Sequence, residues 1–438
     1  VPLDDTAPPG GPTIRIALAR VRATDPDRRI GSLVVNPGGP GASGVDFVRD
    51  AAALLPPPLR ERFDIVGFDP RGVARTARID CTDRLDPYYA VEFAPDDAAE
   101  RAALEAQNRR LVAACERRAG KLLPFVSTER TARDLDRIRA ALGDDRLTYL
   151  GFSYGTYLGT LYADRFPDRV RALVLDGAID PVLDGSAAQV QQAVGFEHSL
   201  DAFLADCADQ RSCSFHRRGR SAAAYDRLRA RVGREPIPAE GQGDGRTLNG
   251  TTFDIGVTQL LYGGRDEWSL LADALDAAAH GDGSDLLAES DFYTGRLSDG
   301  TYDDTYDAFL AIGCLDGPDL GGVDNLRAIE EQAAVAAPRL GRTIVNNSFA
   351  CALWPVPTVS PTVPRALGAP PILVLGARND PATPFAQARA LADELESGVL
   401  IAVDSDRHTS FAGDNACVDR LVARYLVRLA VPRDGTKC

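Results

Sequence analysis

Methionine is absent from the 438-residue chain, and Lys121 and Lys437 are the only lysines among its 49 basic residues. A sequence that opens on Val1 with no methionine reads as a processed form, so a signal peptide already removed is the expectation. No run approaches the roughly 18 apolar residues that a bilayer-spanning helix needs, and no membrane span is expected. Positive charge is in deficit. With 63 acidic residues the formal net charge is −14, which argues against nucleic acid as a partner. No C-x-x-C pair occurs, and His198, His216, His280 and His408 are not spaced with cysteines as ligands. Zinc is therefore not expected, and nothing calls for another metal or a cofactor. A G-x-x-x-x-G-K-[ST] loop for phosphate is also missing.

What is present is ordinary for a globular protein: 45% hydrophobic and 26% charged residues. The length exceeds one minimal domain and suggests a core plus a large insertion. Eight cysteines are either buried thiols or four disulfides of an exported protein. They fall into sequential neighbours, so the expected pairs are Cys81–Cys115, Cys207–Cys213, Cys314–Cys351 and Cys417–Cys438. Spacing alone leaves the connectivity open.

Strand and helix signals alternate over the first part of the chain. Residues 13–21 alternate apolar and polar side chains; 30–36, 63–68, 146–150 and 170–175 are short apolar runs. Residues 130–142 carry Leu135, Ile138 and Leu142 at helical spacing, with Gly143 as a stop. From about 184 to 361 the signals are mainly helical, and strand runs return at 371–377 and 398–403. Such alternation predicts an α/β fold with a mostly parallel sheet and helices on both faces. The expected division is core 1–183, helical insertion 184–361, and core again 362–438.

Gly151-Phe152-Ser153-Tyr154-Gly155 stands between a predicted strand and a predicted helix. A serine between two glycines at such a junction is the nucleophile-elbow pattern, in which a sharp turn lifts the hydroxyl clear of the sheet. A serine hydroxyl needs a base, and the base needs an orienting carboxylate. The usual chain order is Ser, then Asp or Glu, then His. Asp380 follows the run 371–377 and His408 follows the last strand candidate, so Ser153, Asp380 and His408 are expected at one edge of the sheet. Asp404 and Asp406 are rivals for the acid, but they lie too close to His408 for the usual strand spacing. The N–H of Tyr154 is one natural oxyanion donor, and the loop Asn36-Pro37-Gly38-Gly39-Pro40-Gly41 offers Gly39 as the second. Asp69 and Arg71 are expected to brace the site.

That glycine loop, Gly67-Phe68-Asp69-Pro70-Arg71-Gly72, Gly151 to Gly159, and Asp380-Pro381-Ala382-Thr383-Pro384 occur in this order. Together they resemble the secreted tripeptidyl aminopeptidases of actinomycetes, relatives of the prolyl iminopeptidases within the α/β-hydrolase superfamily. The segments around Cys314 and Cys351 are similar to that family as well, and the likeness runs through nearly the whole chain. It implies an α/β-hydrolase fold with a helical cap and an exported serine exopeptidase that removes short peptides from free N-termini. By motif, Ser153 is the nucleophile, Asp380 the orienter, His408 the base, and Gly39 with Tyr154 the oxyanion hole. Arg407 stands where the family often has glycine. An aminopeptidase also needs a group for the substrate ammonium; Glu197 is the first candidate, with Asp201, Asp266 and Glu267 as others. Peptide or protein N-termini are the expected partners, and a monomer is favoured. Two other functions remain open at this stage: an esterase or amidase acting on a small metabolite, and a catalytically inactive hydrolase fold that binds.

Overall fold

Apolar side chains that alternate between two faces build the centre of the molecule, seen in a computed structural model that describes residues 1–6, 10–317, 320–358, 363–413 and 415–438. The strands are β1 (Leu18–Val21), β2 (Gly31–Asn36), β3 (Phe63–Phe68), β4 (Leu147–Phe152), β5 (Val170–Asp176), β6 (Ile237–Pro238), β7 (Thr247–Leu248), β8 (Ile372–Ala377), β9 (Gly398–Val403) and β10 (Thr436–Lys437). Eight of them form one sheet in the order β1-β3-β2-β4-β5-β8-β9-β10, and β6 pairs with β7 apart from it. Only β1 runs antiparallel to its neighbour in the large sheet. Leu33, Val35, Leu150 and Val174 pack on one face, and Val34, Tyr149 and Leu173 on the other. This period of two, with both faces covered, is why the strands read as unbroken apolar runs.

The strands at 63–68 and 398–403 match the sequence reading to the residue. The first strand is shorter than expected and starts at Leu18, while Thr13 instead bridges to Pro2. Thr128–Ala141 forms the expected amphipathic helix, started by the Ser127 hydroxyl, which accepts from the N–H of Arg130.

Between β5 and β8 the chain is mainly helical, including Gly185–Asp209, Gly250–Tyr262, Ser284–Thr294 and Thr305–Asp316. This insertion has its own apolar core, which also takes in Tyr88, Phe93 and Leu104 from the stretch between β3 and β4. The long helix Ala98–Ala119 therefore packs with the insertion rather than only with the sheet. The expected boundary at 361/362 falls outside the described residues. Carboxylates tie the insertion down. Asp304 accepts from the N–H of Ala74, Asp307 from that of Cys81, and Asp316 from that of Thr128. Thr128 in turn bonds the hydroxyl of Tyr154, one residue past the elbow serine.

Four disulfides join the sequential neighbours: Cys81–Cys115, Cys207–Cys213, Cys314–Cys351 and Cys417–Cys438. No helix among the described residues is long and apolar enough to cross a membrane.

Candidate active site

The elbow begins where β4 ends. Ser153 has φ 53° and ψ −122°, a left-handed conformation that costs a non-glycine residue about 1–3 kcal/mol. Its N–H donates to the carbonyl of Asp176 at 2.8 Å, which ties the turn to the end of β5. The flanking glycines are required by space. A Cβ on Gly151 would lie 2.3 Å from the carbonyl oxygen of Gly155, and one on Gly155 would lie 2.8 Å from Oδ1 of Asn36. The helix Tyr154–Arg165 follows at once.

The loop after β2 lies beside the elbow. Gly38 has φ 99°, and a Cβ there would come within 2.6 Å of the Phe152 carbonyl oxygen and 3.0 Å of Cβ of Ser153. The Gly38 N–H donates to the Asn36 side chain at 3.0 Å and is therefore occupied. The N–H groups of Gly39 and Tyr154 have no acceptor among the described residues. For Tyr154 the reason is general: the first N–H groups of a helix have no partner within it.

Asp380 and His408, the expected acid and base, stand on the loops that follow β8 and β9. Nδ1 of His408 lies 2.9 Å from Oδ1 and 3.0 Å from Oδ2 of Asp380. A carboxylate only accepts, so Nδ1 carries the proton and Nε2 is left as the acceptor. Asp380 is 2% exposed and also accepts from the N–H groups of Ala382 and Thr383 and from the Thr383 hydroxyl. Burial opposes the imidazolium, but the charge and hydrogen bond of Asp380, helped by the Asp176 charge, outweigh it and raise the His408 pKa. The insertion holds the other side of this loop: the His408 N–H donates to the Tyr262 carbonyl at 2.9 Å, and the Tyr262 ring stands edge-on to the imidazole at 5.4 Å. Nε2 of His408 is buried and makes no hydrogen bond within the described residues. Of the rival acids, Asp406 is engaged by Arg265 and Asn379, and Asp404 is exposed.

Ser153, His408 and Gly39 line a cavity of about 470 Å³. The insertion supplies most of its remaining wall, with the aromatic rings of Phe196, Tyr262, Tyr293 and Phe309 and the amides of Gln192 and Gln259. Among the described residues that line it there is no Asp, Glu, Lys or Arg.

The four acids expected for the substrate ammonium are therefore not among the described lining residues. Glu197 is buried and accepts from the backbone N–H groups of Arg339 and Leu340 and from the Arg339 guanidinium. Burial pushes its pKa up in spite of these donors. Asp201 shares Arg339, and Asp266 pairs with Arg407 at 3.0 Å. Glu267 is half-buried beside the backbone of Gly263 and faces Arg407. None of the four reaches the cavity. Phe196 does, and one residue further along a helix turns a side chain by about 100°, which carries Glu197 away from it. Arg407, the departure from the family pattern, thus laces the His408 loop to the insertion. Arg71 is buried against Asp134 at 2.7 Å and donates to the carbonyls of Leu3 and Phe125. Asp69 accepts from the Ser43 hydroxyl and the N–H of Val45, so both residues brace loops beside the sheet edge.

Asp176, the last residue of β5, is not singled out by any sequence motif. It lies fully buried between the elbow and the His408 loop, accepting from the N–H groups of Ser410 and Phe411. Its place at the carboxyl end of a parallel strand was the available signal.

A serine elbow, a buried His–Asp pair and two free N–H groups at one end of this sheet define a serine hydrolase of the α/β-hydrolase fold. The family described as alpha/beta hydrolase fold matches residues 31–226, and that described as TAP-like protein matches residues 337–438. Serine protease Hip1 of Mycobacterium tuberculosis is 37% identical, over 100% of this chain and 86% of its own. Carboxylesterase B of Mycobacterium tuberculosis is 37% identical over 100% and 85%, and the tripeptidyl aminopeptidase of Streptomyces lividans 31% identical over 98% and 80%. The chain belongs to the tripeptidyl-aminopeptidase-like family of α/β-hydrolase serine peptidases.

Proposed function

We propose that this protein is an exported serine exopeptidase that releases short peptides, chiefly tripeptides, from N-termini through an acyl-enzyme on Ser153. His408 Nε2 takes the Ser153 proton as Oγ attacks the acyl carbon, and Asp380 holds the imidazole in the required tautomer. The N–H groups of Gly39 and Tyr154 receive the oxyanion. His408 then protonates the leaving amine, and water repeats the sequence to free the acyl product. The observation that carries the exopeptidase reading is the cavity of about 470 Å³ over Ser153, walled mainly by the insertion. A chamber of that size takes a ligand of a few residues rather than a long chain. The tripeptidyl aminopeptidase relative points the same way, and four disulfides suit an oxidising compartment.

On this reading the substrate amine meets neutral amide oxygens, because the described residues of the cavity wall include no carboxylate. This same feature favours a second reading, an esterase or amidase for an uncharged acyl group, which accords with the carboxylesterase relative.

Mass spectrometry of peptide products with time separates the modes. Stepwise loss of three residues is expected. Loss of single residues, or hydrolysis of p-nitrophenyl esters with no cleavage of peptide anilides, would reject the tripeptidyl reading.

A further inference from the structure

The mechanism above leaves one buried carboxylate beside the triad unused. Asp176 ends β5 with its side chain 0% exposed, and its Oδ2 accepts from the N–H groups of Ser410 at 2.8 Å and Phe411 at 2.7 Å. Those two residues follow His408 closely. The backbone between them needs restraint, because Thr409 and Ala412 both have positive φ, 69° and 59°. The carbonyl of Asp176 holds the N–H of Ser153 at 2.8 Å. One residue thus grips the nucleophile turn through its main chain and the base loop through its side chain. Gly177 completes the seat: a Cβ there would stand 3.0 Å from Cε1 of His408. Oδ1 of Asp176 is buried with no hydrogen-bond partner among the described residues, a cost that a purely structural clamp would not need.

Resting on the Ser153–His408 reading, we propose that Asp176 is a positioning residue of this reaction. Its carboxylate sets the His408 loop against the elbow and supplies a second negative charge to the imidazolium that forms during acyl transfer. The groups that face this pair are Asp380 after β8, His408 after β9 and the phenol of Tyr262 from the insertion. Burial moves the Asp176 pKa up to about 6, with the two N–H donors and His408 working against the rise.

Asp176→Asn keeps an acceptor oxygen but removes the charge. Expected on a tripeptide anilide are a fall in kcat of tenfold or more, little change in KM, and an acid limb of kcat/KM displaced to lower pH. The direction follows because an anion beside His408 raises its pKa and neutralising that anion lowers it. A role in folding alone would lower the melting temperature and leave the limb where it was. In the unmodified enzyme, the rate of fluorophosphonate labelling of Ser153 should fall from above the pH of an unperturbed histidine as His408 protonates, and steepen toward a log–log slope of two below about pH 6, where Asp176 protonates as well. An unmoved limb with kcat within twofold of the parent overturns the assignment, and so does a slope of one if Asp176→Asn does not fold. Ser153→Ala run in parallel keeps the two readings apart. An inactive Ser153→Ala with a parent-like Asp176→Asn rejects the role of Asp176 alone, whereas an active Ser153→Ala rejects both.

Discussion

Changing Gln259 to Glu places a carboxylate on a cavity wall whose described residues include none. Gln259 lies on the cavity wall, carried by the helix Gly250–Tyr262. The change is isosteric. An α-ammonium within about 4 Å of the new charge would gain roughly 4 kcal/mol at an effective dielectric of about 20. Desolvating both ions returns much of that. A remainder of about 1.4 kcal/mol is already tenfold. The ratio of kcat/KM for a free tripeptide anilide to that for its N-acetylated form should thus rise about tenfold or more at pH 7. The gain should fade above about pH 8, where the α-amine loses its proton. It should fade again in acid as the introduced carboxyl protonates, earlier than in water because the cavity disfavours the ion. A ratio within twofold of the parent across this range would refute the claim that the acyl chamber holds the substrate amine in neutral surroundings.

Ser153→Ala should cost on the order of 10⁶-fold in kcat, the loss typical when such a nucleophile is removed. Turnover within tenfold of the parent would reject the mechanism. The acid limb of kcat/KM should lie above the pH of an unperturbed histidine, because only neutral His408 accepts the serine proton and Asp380 raises its pKa; Asp380→Asn should move the limb down and lower kcat about 10⁴-fold. Gly38→Ala should lower the melting temperature, because a Cβ at φ 99° meets the Phe152 carbonyl oxygen at 2.6 Å, and should lower fluorophosphonate labelling of the folded protein by about 10²- to 10³-fold, as its methyl group pushes the Gly39 donor away from the elbow. Arg71→Ala removes the buried partner of Asp134, leaving it only Arg137 at the surface, and should destabilise the protein by about 3 kcal/mol, read from the midpoint of urea unfolding.

Much of the site was legible because its signals are local or follow from chain order. Gly151 and Gly155 flank a serine at a strand-to-helix junction, and both are forced by contacts only a few residues or one strand away. Asp380 and His408 follow strands whose apolar runs stand out, so a parallel sheet must bring their loops to one end. The Gly39 loop was found the same way, but the reason Gly39 rather than Gly38 is free is a side-chain bond from Asn36, which needs coordinates.

The amine site was not legible. Glu197 differs from the cavity-lining Phe196 by one step along a helix, and its partner Arg339 lies 142 residues away. The grip of Asp176 on Ser410 and Phe411 spans 234 and 235 residues. Composition, periodicity and motif order by themselves determined the wound sheet and pointed to Ser153, Asp380 and His408, because each is written in neighbours or in strand succession. Only the tertiary structure decided which acids are spent on arginines, that Asp176 holds the backbone after His408, and that the described cavity wall holds no carboxylate. Those properties belong to side chains that meet across the fold, where burial and pairing, not residue type, set what a group can do.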